Sequence, residues 1–154
     1  DRPSAGDGGL AQATSAEDVA AALARAAVAY GRESLVFAAR RDRFVGKESG
    51  TASLRALARA LTVPAGGPSV LATASKSGPY LGPLPTTPVH RGLAEALGDP
   101  DDDVAVVGVS VGGRAALVLV IAGMPLPAQA MEHAERLASL AAARLEAILR
   151  QRRP

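Results

Sequence analysis

Residues 104–121 hold the feature that most limits what this chain can become. Val104–Val111 and Arg114–Ile121 are apolar at nearly every position, and only Gly112-Gly113 separates them. Two apolar runs joined by two glycines fit a β-hairpin, because the tight turn needs left-handed backbone at both central positions. Val118, Val120 and Ile121 favour strand over helix in the second arm. Strands that are apolar on both alternations, rather than on one, belong where both faces are covered. The hairpin is therefore expected near the centre of a sheet with a layer on each side.

The rest of the chain supplies those layers. Ser15 and Asp18 look like an N-cap and an acidic first turn, opening a helix that runs to about Arg32. Val19, Ala22, Leu23, Ala26, Ala27 and Tyr30 share one side of it. Ser34–Ala39 and Arg43–Lys47 read as strands around the polar Arg40-Arg41-Asp42 turn, Thr51–Leu61 as a helix, and Ser69–Ala74 as a further strand. Lys76–Pro88 is too rich in Gly and Pro to be regular, and His90–Leu97 reads as a short helix stopped by Gly98. After Pro125 and Pro127 a long helix extends toward Arg152, with Ala134, Leu137, Ala141, Leu145 and Ile148 as its apolar stripe. Asp1–Thr14 has no periodicity and reads as a flexible linker, leaving 15–152 as a single domain. The expected class is α+β: a five- to six-stranded antiparallel sheet with the N- and C-terminal helices on one face and a helix/loop crossover layer on the other.

Composition narrows the function. With 154 residues, of which 48% are hydrophobic, the chain can bury one real core and is not disordered. It has no cysteine, which excludes disulfides, thiolate metal sites, iron–sulfur clusters and thiol catalysis. The longest apolar run, Ala115–Gly123, is too short to span a bilayer, so no membrane partner is expected. Fifteen of the 17 basic residues are Arg, yet the net charge is only +2. Tyr30, Phe37, Phe44 and Tyr80 are the only aromatics, too few to form stacking platforms, so no nucleic-acid partner is expected either. The first residue is Asp1 rather than Met, so the sequence reads as a piece of a longer protein. Nothing in it resembles a targeting signal, and a cytoplasmic location is expected.

The order of elements resembles the GAF domain, a sensory module widespread in bacterial signalling proteins. The resemblance covers about Ser15 to Arg150. It rests on the opening helix before Ser34–Ala39, on Gly78-Pro79-Tyr80-Leu81-Gly82-Pro83-Leu84-Pro85 leading into His90–Leu97, and on the Val104–Ile121 hairpin followed by the long helix. It implies a non-catalytic regulatory domain of a larger protein that binds a small ligand beneath the crossover layer, or a partner protein, and relays the event through its terminal helices. It also implies a homodimer formed by those helices. The Asn-Lys-Phe-Asp-Glu set associated with cyclic-nucleotide GAF domains is not visible. Without cysteine, covalent bilin attachment and methionine sulfoxide reductase chemistry are excluded, and haem would have only His90 and His133 to draw on. No cofactor or metal is expected.

Several residues invite specific chemistry. Tyr80, His90 and Arg91 flank the Gly/Pro-rich segment, where a phenol, an imidazole and a guanidinium could orient an anionic or aromatic ligand. The plainer reading has Tyr80 packing across the sheet while His90 and Arg91 begin an exposed helix. Leu137, Leu140, Leu145 and Ile148 offer more apolar surface than a terminal helix of one small domain needs, which suits either a dimer interface or packing on the first helix and sheet. Gly108-Val109-Ser110-Val111-Gly112 matches the G-x-S-x-G nucleophile elbow, but the elbow needs a helix after the serine, and no Asp follows Ser110. A serine hydrolase is thus a third reading, behind a regulatory domain and a ligand-free interaction scaffold whose interior would be filled. Asp99, Asp101, Asp102 and Asp103 read as a solvated turn, because the calcium-loop spacing fails. Val45–Gly50 lacks phosphate-loop spacing, which leaves Lys47 as an exposed strand end. Arg150, Arg152 and Arg153 suit a helix C-terminus. His133, beside Glu132 and Glu135, reads as a helix-surface residue.

Overall fold

In the computed structural model, which describes residues 9–98, 100 and 102–152, the two apolar runs pair as a hairpin. β5 (Val104–Val111) and β6 (Arg114–Ala122) are antiparallel, with Val111 opposite Arg114 across the turn. Gly112 and Gly113 have φ of 63° and 79°, the left-handed pair of a type I′ turn. Ala116 has no opposite number on β5, so the hairpin carries a bulge close to its turn. β1 (Glu33–Ala39) pairs with the free side of β6, and β2 (Arg43–Ser49) with β1. Two three-residue strands, β3 (Thr62–Pro64) and β4 (Tyr80–Gly82), form the edges. The six strands are all antiparallel, in the order β3-β2-β1-β6-β5-β4.

Alternation along the central strands sorts their side chains into two cores. Val36, Ala105, Val107, Leu119 and Ile121 face a layer formed by α1 (Ala16–Ala27) and α5 (Pro127–Arg152). Leu35, Phe37, Val106, Val118 and Val120 face the crossover layer of α2 (Arg55–Arg59), α3 (Val70–Lys76) and α4 (Arg91–Ala96). Each aliphatic side chain removed from water in this way contributes about 1.5–3 kcal/mol before entropy is counted. α1 begins where the Ser15 hydroxyl accepts the Asp18 N–H at 3.1 Å. The Asp18 carboxylate in turn accepts the Thr14 N–H, and this bond holds its pKa below the ordinary value. The buried side of α1 is mostly alanine, so α5 can lie close against it.

The structure departs from the sequence expectations in five places, the first being that α1 stops at Ala27 rather than near Arg32. Residues 69–74, expected as a strand, start helix α3 instead: the Ser69 hydroxyl caps it by accepting the Ala72 N–H at 3.0 Å. A short apolar run fits a buried strand or a buried helix equally well, and the cap decides between them. β3 and β4 were not expected, and β4 lies within the stretch read as irregular. Residues 52–54 form a 3-10 turn before α2, so the helix expected over Thr51–Leu61 is much shorter. Within the expected linker, Leu10–Gln12 forms a 3-10 turn, Leu10 is buried in the helix-face core, and the Ala13 carbonyl accepts from Arg144 Nε at 2.6 Å. Residues 1–8 lie outside the described residues. Among the described residues no helix is long and apolar enough to cross a membrane.

Two glycines are set by close approach rather than by turn geometry. A Cβ on Gly108 would sit 2.9 Å from the Ala74 carbonyl oxygen, because the end of α3 crosses β5 there. A Cβ on Gly46 would overlap the Ala58 carbonyl oxygen, because α2 lies directly on β2. Gly46→Ala should therefore cost about 3 kcal/mol or more in urea denaturation. An unchanged midpoint would mean that α2 does not rest on β2 this closely.

Candidate functional site

Tyr80, His90 and Arg91 occupy three different settings. Tyr80 opens β4, half-buried against the crossover-face core, and its hydroxyl donates to the Pro83 carbonyl. His90 is only 4% exposed. Its Nε2 accepts the Val70 N–H at 3.1 Å, and its Nδ1 lies 2.6 Å from Thr87 Oγ1. Since Nε2 must accept, the proton of the neutral ring belongs on Nδ1, where it is donated to the Thr87 hydroxyl oxygen. His90 thus satisfies one of the unpaired N–H groups at the start of α3 and ties the 3-10 turn before α4 to it. Burial pushes its pKa below the ordinary value. Arg91 is exposed. The interior between the sheet and the crossover layer is packed with side chains, among them Phe37, Leu71, Leu93 and Leu97, all fully buried.

Two clefts open at the end of the sheet instead, and neither is lined by Tyr80, His90 or Arg91. The larger, about 740 Å³, lies on the crossover side, where the β1–β2 turn, the end of α3 and the β5–β6 hairpin meet. Arg40, Arg41, Lys76 and Arg114 line it, together with apolar surface from Ala39, Ala65 and Ala115. Asp42, its one carboxylate, is held at 3.2 Å by Arg43. Among the described residues none of those four cations has an ion-pair partner. The smaller cleft, about 530 Å³, lies between α1, α5 and strands β1 and β2. Its charges are of both signs: Glu17 and Glu48 beside Arg40, Lys47 and Arg59. Glu48 is buried and bonded to Arg55 Nε at 2.9 Å and to Arg59 Nη2 at 3.2 Å, which fastens α2 to β2.

Leu137, Leu145 and Ile148 are buried in the core that α5 shares with α1 and the sheet, so they are spent within the domain. Of the four expected interface residues only Leu140 is exposed, at 44%, with Leu149 at 47% further along the helix. Ser110 is exposed on β5 opposite Ala115, and a strand rather than a helix follows it. Gly108 and Gly112, the glycines of its apparent elbow, answer to the α3 crossing and to the hairpin turn. Lys47 is not a strand end but the bulged residue of β2, between the Val36–Glu48 and Phe37–Gly46 pairs. Asp102, Asp103 and Arg150 are exposed, while Asp99, Asp101 and Arg153 lie outside the described residues.

His133 is the residue the sequence reading misplaced most. It is 8% exposed, with its ring 4.0 Å from that of Tyr30, and neither ring nitrogen has a hydrogen-bond partner. Burial pushes its pKa down and Arg136 adds to this. The Ala26 carbonyl pulls the other way without reaching hydrogen-bond geometry. The sequence held the signal: His133 lies three residues after Ala130 and four before Leu137, on the buried stripe of α5.

No protein-family model and no curated protein matches the chain. Solved structures do. A methyl-accepting chemotaxis protein, residues 122 to 287, superposes with a TM-score of 0.70 at 14% identity, over 91% of this chain and 93% of that one. The GAF domain of a phosphoenolpyruvate-protein phosphotransferase from Coxiella burnetii gives 0.69 at 16%, over 92% and 89%. The GAF-B domain of DevS from Mycobacterium smegmatis gives 0.68 at 19%, over 90% and 98%. The chain has the GAF fold.

Both histidines set a pH dependence of stability. Each has a folded pKa below its ordinary value of 6.5, so the unfolded chain takes up protons first. Stability should be complete above about pH 6.5 and fall as pH drops through the folded values. His133→Phe keeps the contact with Tyr30 and gives up no hydrogen bond. It should shrink the loss of melting temperature between about pH 7 and pH 5. An identical acid profile in the variant would remove His133 from this account.

Proposed function

We propose that this chain is a non-catalytic regulatory domain of a larger signalling protein, which binds a small ligand or a partner and relays the event through its terminal helices. The observation that carries this reading is the position of α5, a 26-residue helix packed on β5 and against α1. A change in the sheet therefore reaches the last described element of the chain through direct contact. The similar structures support it, since they belong to proteins named for chemotaxis and phosphotransfer. Relay requires that a ligand bind two arrangements of these elements unequally. The strand that follows Ser110 counts against the serine-hydrolase reading. The reading includes a bacterial, cytoplasmic setting with no nucleic-acid or membrane partner.

A ligand-free scaffold is the second reading, and the filled interior above Phe37 and Leu71 favours it. The two differ in what a ligand does to α5. Thermal-shift screening against small metabolites should find a compound that raises the melting temperature. Hydrogen exchange along α5 should then change when that compound is bound. If no compound shifts the melting temperature while the protein remains associated, the scaffold reading replaces the sensor.

Homodimerisation belongs to the same proposal, with a second copy seated on the side of α5 that carries Leu140, Ala143 and Ala147. Light scattering at micromolar concentration should show a dimer, and Leu140→Glu should return it to a monomer. A wild-type chain that is monomeric under those conditions would end the dimer proposal.

A further inference from the structure

We propose that the cleft framed by Arg40, Arg41, Lys76 and Arg114 binds a small organic phosphate, an assignment whose biological purpose rests on the sensory reading of this chain. Three segments far apart in sequence bring these cations together: the β1–β2 turn, the last residue of α3 and the first residue of β6. A chain of net charge +2 places four cations around one concavity and gives it a single carboxylate, already engaged by Arg43. Gathering like charges costs free energy, and the ion pairs among the described residues include none of these four cations. Helix-end electrostatics account for Lys76 alone. An anion bound among them would offset the repulsion of all four.

The shape and floor of the cleft narrow the anion further. Guanidinium groups present paired N–H donors that match phosphate oxygens, and three of the four cations are Arg. Ala39, Ala65 and Ala115 provide apolar surface beside them, suited to the carbon body of the same molecule. The volume, about 740 Å³, lies within the range of small-molecule pockets. A nucleic-acid backbone repeats its charge along a track and gains from exposed aromatic platforms. This cleft is confined to one end of the sheet, and its only aromatic residue, Phe44, is buried. The smaller cleft, with acidic and basic groups together, makes no comparable selection for an anion. Occupancy would link the turn, α3 and the hairpin, all of which border the site.

Isothermal titration at constant ionic strength tests this, with phenyl phosphate as the probe, inorganic phosphate as the head without a body, and phenol as the body without a head. Phenyl phosphate should bind more tightly than inorganic phosphate, and phenol should not bind. Arg41→Ala and Arg114→Ala should each weaken phenyl phosphate about tenfold, as expected for loss of a charge-assisted hydrogen bond. The double variant should lose detectable binding while keeping its melting temperature. Equal affinity in the double variant, or an equal response to sodium chloride, overturns the site. So does a DNA duplex that binds more tightly than phenyl phosphate and depends on the same arginines. Hydrogen exchange separates the two claims. If phenyl phosphate binds and α5 does not respond, the cleft stands and the relay falls. If phenyl phosphate binds wild type and the double variant equally while a metabolite still moves α5, the relay stands and the cleft falls.

Discussion

The structure depends on one constraint: β5 and β6 are apolar on both faces, so neither face of the sheet centre can meet water. An ordinary antiparallel hairpin can leave one side solvated. This one cannot, because Val106, Val118 and Val120 point one way while Val107, Leu119 and Ile121 point the other. Two covering layers follow from that alone. Chain order then distributes them, with the first and last helices sharing one face and the intervening segments covering the other.

Covering the second face has a consequence for recognition. Phe37, Leu71, Leu93 and Leu97 fill the space beneath the crossover layer. His90 there acts as an internal strut, linking the segment before α4 to the first turn of α3. The larger cleft lies instead at the end of the sheet, where the β1–β2 turn and the β5–β6 hairpin meet the end of α3. Polar side chains gather there because turns are where the backbone leaves the core, and Arg40, Arg41 and Arg114 all come from that edge.

The helix face carries a different kind of tension. His133 sits where α5 closes over the end of α1, its ring tilted against that of Tyr30 but with no hydrogen bond. A buried imidazole without a partner is tolerated while neutral and opposed when charged. The helices proposed to carry a signal are thus joined at a point sensitive to protonation. The apolar stripe of α5 is largely used within the domain, since Leu137, Leu145 and Ile148 pack inward, and exposed Leu140 and Leu149 are left on opposite flanks of it.

Local chemistry made much of this architecture legible. The Gly112-Gly113 turn, the two-faced strands, the Ser15 cap and the long final helix each depend on neighbours in sequence, and each is found where expected. Ser69–Ala74 was not legible, because six residues with an apolar core satisfy either period until a cap and a packing surface choose one. β3 and β4 were not legible either: a three-residue edge exists only because a longer strand offers it hydrogen bonds. Sequence could not bring Arg40, Lys76 and Arg114 to one cleft, nor turn His133 inward with no partner, since both depend on contacts between segments distant along the chain. By itself, then, the sequence determined the elements and the need to cover both faces. Tertiary packing decided which side chains were consumed in doing so and which were left to meet a ligand.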